Sequence, residues 1–309
     1  MVDYGKGIEM ALHHDPLWPR AGAWFSASQD GEVDLAIMGM GAHESAITPN
    51  NAHKTPKAIR KALQRYSTWN QTCQIDFSDH LVGADFGDVA DPENQRNTEY
   101  EVEQALFRTN FLIGLGGDNS ITYSGVMGLA KSVGGLDKVG LITLDAHHDV
   151  RDGISNGSPI RQLVEAGLPG EHIVQIGISD FANSKFYANR VTEYGIHVID
   201  RARMRNESLQ EIAASAISIA GENHRAIYLD IDMDVCDRSV TPGCPAATPG
   251  GLSADELRQL VALITADPRV RMADITEIDA SLDSEDGRTV RLAALVILEI
   301  ATSRALLKI

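Results

Sequence analysis

Cysteine is scarce in this chain. Cys73, Cys236 and Cys244 form no CxxC pair and leave an odd number, which excludes a disulfide-stapled scaffold and points to a reducing, cytoplasmic compartment. Positive charge is short as well: 27 Lys and Arg face 43 Asp and Glu, a formal net charge of −16. Such a polyanion is a poor partner for nucleic acid, whose binders display basic surface; most of the excess acid serves solubility. An apolar run long enough for a bilayer is missing too. The most apolar stretch, 292–307, is interrupted by Glu299 and Arg304 and reads as a buried helix, so no membrane partner is expected. The opening MVDYGKGIEMALHH has no apolar segment of the kind that drives secretion. No linker, low-complexity tract or repeat breaks the chain, so 1–309 reads as a single domain.

What is present is an alternation. Short apolar runs lie at 34–41, 111–117, 139–146, 172–179, 196–200, 226–234 and 270–279, bounded by Gly, Asp or Asn as buried parallel strands usually are. Between them the patterning predicts helices over 56–65, 99–109, 121–131, 158–166, 184–194, 208–222, 254–265 and 285–306. Ser253 and Glu256 have the spacing of a capping box, and Ser284 is placed to cap the last helix. The stretch 238–251 is rich in Pro and Gly and reads as an ordered loop. Strand–helix alternation of this kind predicts an α/β fold with a doubly wound parallel sheet, whose ligand site lies at the carboxyl ends of the strands.

Three of those ends carry unusual polar clusters: Gly116 to Ser120, Asp145 to Asp152, and Asp230 to Asp237. Asp145, His147 and Asp149 are spaced by two, as are Asp232 and Asp234, so an extended backbone turns each set to one side. Such groups repel one another unless a cation sits between them. Four carboxylates are neutralised by two divalent ions, and hard oxygens with one imidazole suit Mn²⁺ better than Zn²⁺. Two ions roughly 3.5–4 Å apart can share a water and lower its pKa. A lone DxD is more often a solvated loop or a cap; two such clusters, each directly after a buried strand, are not. Asp230 reads as structural, and His148, which points away from His147, as a packed histidine.

The strings GGDNS, DAHHD and DMDVCDRSVTPGCPA resemble the metal-binding signatures of the ureohydrolase (arginase/agmatinase) superfamily, over about residues 34–300. The resemblance implies a three-layer α/β/α sandwich around a mostly parallel, about eight-stranded sheet, with two Mn²⁺ per chain and assembly into a homo-oligomer, a trimer or hexamer. Carried over by position, it implies Asp145 and Asp232 as bridging ligands, Asn119 and Asp149 on the first metal, and His147 and Asp234 on the second. Asn119 and the region of Asn156 stand where arginases and agmatinases have histidines. With SNGSPIR and DFANS, these departures make the chain most similar to the formimidoylglutamase branch.

The reaction so implied is hydrolysis of a small molecule, N-formimino-L-glutamate, to L-glutamate and formamide, within histidine degradation. Asp149 would hold the nucleophile and pass on a proton, and Glu277, at a strand end, would pair with the amidinium. A dicarboxylate tail calls for cations, so Arg151 and Arg161 are the expected clamps, with Asn156 and Ser158 as further substrate contacts. The competing expectations are a guanidino-hydrolase such as an agmatinase or guanidinobutyrase, and a non-catalytic relative that has lost a histidine ligand.

Overall fold

A computed structural model describes residues 15–25 and 31–309. The reading of the first fourteen residues lies outside the described part. In chain order the helices are α1 (Ala21–Phe25), α2 (Thr55–Leu63), α3 (Gln95–Leu106), α4 (Ile121–Val133), α5 (Pro159–Ala166), α6 (Lys185–Tyr194), α7 (Arg201–Met204), α8 (Leu209–Ala220), α9 (Ala254–Thr265) and α10 (Arg288–Leu306). The strands are β1 (Val33–Met40), β2 (Trp69–Asn70), β3 (Ile75–Asp76), β4 (Gly83–Asp88), β5 (Thr109–Gly116), β6 (Val139–Leu144), β7 (Ile173–Ile178), β8 (His197–Asp200), β9 (Ala226–Asp232) and β10 (Val270–Thr276). β2 and β3 form a small antiparallel pair. The other eight make one sheet, ordered β4-β1-β5-β10-β9-β6-β7-β8, with every ladder parallel.

The period-two alternation of each strand separates two cores. Leu35, Ile113, Leu229 and Ile275 pack with α2, α8, α9 and α10 on one face. Ala36, Leu112, Tyr228 and Met272 pack with α3, α4 and α5 on the other. This is the expected three-layer sandwich. Among the described residues no helix is long and apolar enough to cross a membrane. Residues 292–306 of that stretch lie within α10, where Leu292, Ile297 and Ile300 are buried, and Glu299 accepts from Arg258 of α9 at 2.9 Å.

Three local expectations need correction. β4 was not foreseen, because GADFGD lacks an apolar run; it is an edge strand whose last two residues are exposed, so little apolar surface is asked of it. α3 begins at Gln95 instead of Glu99, since Asn94 accepts from the Asn97 backbone N–H at 3.3 Å and caps it there. α10 begins at Arg288, and its cap is Asp283, whose carboxylate accepts from the N–H groups of Thr289 (3.2 Å) and Val290 (3.0 Å). Ser284 Oγ receives only a long 3.4 Å bond from Arg288. The Ser253–Glu256 box is present. The 238–251 loop is ordered by backbone bonds, among them Arg238 N to Thr248 O at 3.1 Å.

Candidate metal centre and active site

Four neighbouring central strands, β5, β10, β9 and β6, deliver their carboxyl ends to one place. β5 and β10 are locked together by the Glu277 N–H donating to Gly117 O at 2.9 Å. Gly116 allows this closeness, because a Cβ there would meet the Ile275 carbonyl oxygen of β10 at 2.5 Å.

β6 ends in Asp145, whose Oδ1 accepts from the His147 N–H at 2.6 Å. β9 ends in Asp232, whose Oδ1 accepts from the Asp234 N–H at 2.8 Å. His147 Nδ1 lies 2.6 Å from Asp234 Oδ2 and 3.7 Å from Asp145 Oδ1. Ligand atoms of Asp145, His147 and Asp234 all fall within 4.8 Å of one another. Asp149 and Asp232 are buried beside them. Asp149 has φ 52° and Glu277 φ 61°, left-handed values that non-glycine residues adopt only where their surroundings enforce them. At Asp149 the enforcement is visible: its carbonyl oxygen accepts from the Ile160 and Arg161 N–H groups at 3.1 and 3.3 Å, capping α5.

Electrostatically the cluster is overloaded with acid. Burial first, then Asp149 and Asp234, push the Asp145 carboxyl well above the usual range. Burial and Asp234 do the same to Asp232. Burial raises Asp149 to about 6, against the pull of His147 and Asn119. Burial alone would lower His147, but Asp234 and Asp145 outweigh it and raise it to about 12. Asp234 is lowered, because His147 offsets its burial. Asp145 Oδ2 is buried with no hydrogen-bond partner. An orphaned oxygen among carboxyls that cannot all ionise together is what hard divalent ions relieve, so these residues fit a manganese pair.

Around this centre lies a cavity of about 160 Å³, bordered by His147, Asp149, Asp232, Asp234, Asn156 and Glu277. Burial first, then Asp118, raises Glu277 to about 8. Its Oε1 accepts from the Asn119 N–H and from Asn156 Nδ2, both at 2.8 Å. Asn156 is held in turn by the Ile47 N–H, at 3.0 Å to its Oδ1. Arg151 borders the same cavity.

Other expected site residues are placed differently. Asn119 turns its amide nitrogen toward the centre, 2.6 Å from Asp149 Oδ2, while its oxygen accepts from the hydroxyls of Thr122 and Thr276 at 3.0 and 2.9 Å. In this arrangement it orients Asp149 and does not present a ligand oxygen. Ser158 Oγ is consumed by its own turn, donating to Ser155 O and accepting from the Ser155 N–H, both at 2.9 Å. Arg161 donates to Arg151 O at 2.7 Å, to Gly153 O and to Glu165, so in this arrangement it staples the 151–153 loop. His148 is buried against Gln175 at 2.7 Å, as a packed histidine should be. Asp230 lies opposite Asp274 on β10, one strand step below the centre. The three cysteines are free, and burial pushes the Cys236 thiol up to about 12, which suits inert packing.

Sequence reasoning did not find Thr122 and Thr276. Their signal is spacing: Thr122 lies one helical step beyond Asn119, and Thr276 directly precedes Glu277.

The shifts predict how metal-free protein responds to pH. Asp149 and Glu277 bind protons more tightly folded than unfolded, so stability falls as pH rises through about 4–6 and about 4.5–8. The His147 contribution is full below 6.5 and is lost as pH rises toward about 12. Asp234 gains only below this window. In chelator the melting temperature should therefore be lower at pH 8 than at pH 5.5, and saturating Mn²⁺ should reverse the order. A metal-free melting temperature that climbs from pH 5.5 to 8 would contradict the charge assignment.

Comparison with known proteins gives the family and the fold. The sequence model of the Arginase family matches residues 33–302. The formimidoylglutamase of Bacillus subtilis is 33% identical over 278 residues, 85% of each chain, and that of Halalkalibacterium halodurans is 34% identical over 294 residues, 90% of each. The crystal structure of the Bacillus subtilis formimidoylglutamase superposes with a TM-score of 0.87 at 28% identity, covering 99% of this chain and 96% of that one. A Trypanosoma cruzi formiminoglutamase with Mn²⁺₂ superposes with a TM-score of 0.81 at 27% identity, covering 93% of this chain and 99% of its own.

Proposed function

The chain belongs to the arginase family, and from that premise we propose that it hydrolyses N-formimino-L-glutamate to L-glutamate and formamide, with two manganese ions as cofactor. The observation that carries the reading is Glu277. One carboxylate oxygen is fixed by Asn119 and Asn156; the other has no hydrogen bond among the described residues and borders a cavity walled by acids. That cavity favours a cationic head with paired N–H groups and repels an anionic one. The formimidoylglutamase relatives support the formimino head over a guanidino one.

Asp145, His147, Asp149, Asp232 and Asp234 would hold the ions, which when bound lower the pKa of a shared water and so supply a nucleophile at neutral pH. The remaining work falls to the protein. Glu277 binds the amidinium and orients its carbon toward Asp149. Asn156, braced by Ile47, keeps the Glu277 carboxylate in plane. Asp149, buried and oriented by the Asn119 amide at 2.6 Å, holds the attacking water in line and hands the proton it takes from that water to the departing glutamate nitrogen. A homo-oligomer, trimeric or hexameric, and a cytoplasmic location complete the reading; the free cysteines are consistent with the latter.

The test is product identity across formimino and guanidino compounds: formamide and glutamate from N-formimino-L-glutamate are expected, and urea from agmatine or guanidinobutyrate at a higher kcat/KM would replace this reading with the guanidino one. Arg151 and Arg161 provide a second prediction. Arg151→Ala should raise KM for N-formimino-L-glutamate roughly tenfold or more, the loss of about 1.5–3 kcal/mol from a charge-assisted hydrogen bond. Arg161→Ala should act through stability of the 151–153 loop, lowering the melting temperature. Unchanged kinetics in Arg151→Ala would remove it from the substrate's path.

A further inference from the structure

Adjoining the acid-lined cavity is a second one, of about 190 Å³, bordered by His148, Asn183, Ser184 and Tyr187. The two cavities share His147, Asp149 and Arg151. Their chemistry is divided. The first holds Asp232, Asp234 and Glu277 and suits a cation; the second has no acid beyond the shared Asp149 and is where an anionic tail meets least repulsion. Arg151 stands at the threshold, and among the described residues its guanidinium has no hydrogen-bond partner. Its side chain lies over Gly157, where a Cβ would meet Arg151 Cδ at 2.9 Å.

In the second cavity most polar groups are already committed. Asn183 accepts from the His148 N–H at 3.0 Å and donates to Ala146 O at 3.1 Å. Tyr187 is different. Its hydroxyl accepts a long 3.5 Å bond from the Asp152 N–H, and no acceptor for its own proton is present among the described residues. The ring is held in place by Arg190, whose guanidinium lies 5.4 Å from its centroid and is anchored on Val150 O at 2.7 Å and Asp152 at 2.8 Å.

We propose that this second cavity seats the dicarboxylate tail of the substrate, with Arg151 pairing the α-carboxylate at the threshold and the Tyr187 hydroxyl donating to the side-chain carboxylate, so that Tyr187 selects for length and charge. The inference rests on the formimino reading above. The division of labour follows from the substrate itself: the α-carboxylate is two bonds from the reacting nitrogen and stays beside the head, whereas the side-chain carboxylate lies three carbons further out. Asn156 and the acid cluster cannot supply that second contact, being on the head side.

The test is Tyr187→Phe, which keeps the stacked ring and removes only the hydroxyl. It is measured on Mn²⁺-loaded protein with N-formimino-L-glutamate and with N-formimino-2-aminobutyrate, which lacks the side-chain carboxylate. The expected result is a KM about tenfold higher for the first, with the effect in KM and not kcat, and less than a twofold change for the second. Equal changes for both compounds, or none for either, would overturn the role of Tyr187. Calorimetric binding of glutarate separates this from the reading of the head. Glutarate affinity that falls about tenfold in Tyr187→Phe supports the tail site even if wild-type protein fails to turn over the formimino substrate, an outcome that sinks only the proposed reaction. Glutarate that binds both proteins equally, or neither, sinks the tail site.

Discussion

Asp232→Asn should all but abolish turnover while making the metal-free protein more stable. The asparagine oxygen can still accept from the Asp234 N–H, a bond of 2.8 Å in the native chain, so the local turn survives. The negative charge does not, and with it would go one of the proposed metal ligands. Loss of an outer partner of a metal ligand already costs about 10–100-fold, so on the proposed assignment loss of the Asp232 carboxylate should cost at least roughly a hundredfold in kcat/KM. Asp145→Ala should match it. The stability gain follows from the same charges. Burial, Asp234, Asp145 and Glu277 all oppose ionisation of Asp232, so a neutral side chain relieves repulsion that only bound cations otherwise relieve. Differential scanning calorimetry in chelator should give a higher melting temperature for Asp232→Asn at pH 8. An active variant with normal manganese content would remove Asp232 from the ligand set.

Glu277→Gln should be the most damaging change outside the metal ligands. The native carboxylate is buried, held left-handed at φ 61° and fixed through one oxygen; glutamine keeps size and shape but turns one acceptor into a donor facing the amidinium. Leaving a buried charge uncompensated costs about 3–5 kcal/mol, so kcat/KM should fall roughly 10²–10⁴-fold. Manganese affinity should change little, and that separates Glu277 from the ligands. Steady-state kinetics alongside a manganese titration decides the point: a variant within threefold of native kcat/KM would show that the amidinium is held elsewhere.

Much of this was readable from the chain because strand chemistry is periodic. Asp145, His147 and Asp149, with Asp232 and Asp234, follow apolar runs at spacing two, and parallel strands buried on both faces leave little else for such residues to do. Seven strands were visible for the same reason. β4 was not, since an edge strand needs no apolar run. Hydrogen-bond commitments were invisible in the sequence. Ser158 and Arg161 look like substrate contacts beside the DAHHD string, yet one closes its own turn and the other staples a loop. Asn119 looked like a ligand because of where it aligns. Which end of its amide faces Asp149 is set by Thr122 and Thr276, one of them 157 residues away. Tyr187 escaped notice because nothing near it in sequence is acidic, metal-binding or glycine-rich; only the fold brings it beside Arg151.

The decisive measurement is turnover of N-formimino-L-glutamate by the same protein preparation stripped with chelator and then reloaded with Mn²⁺, with formamide and glutamate quantified together. Stripped protein should be inactive, and reloading should restore equimolar formamide and glutamate, with activity saturating at two ions per chain. Full activity in the stripped protein, or no hydrolysis after two ions have bound, would contradict it.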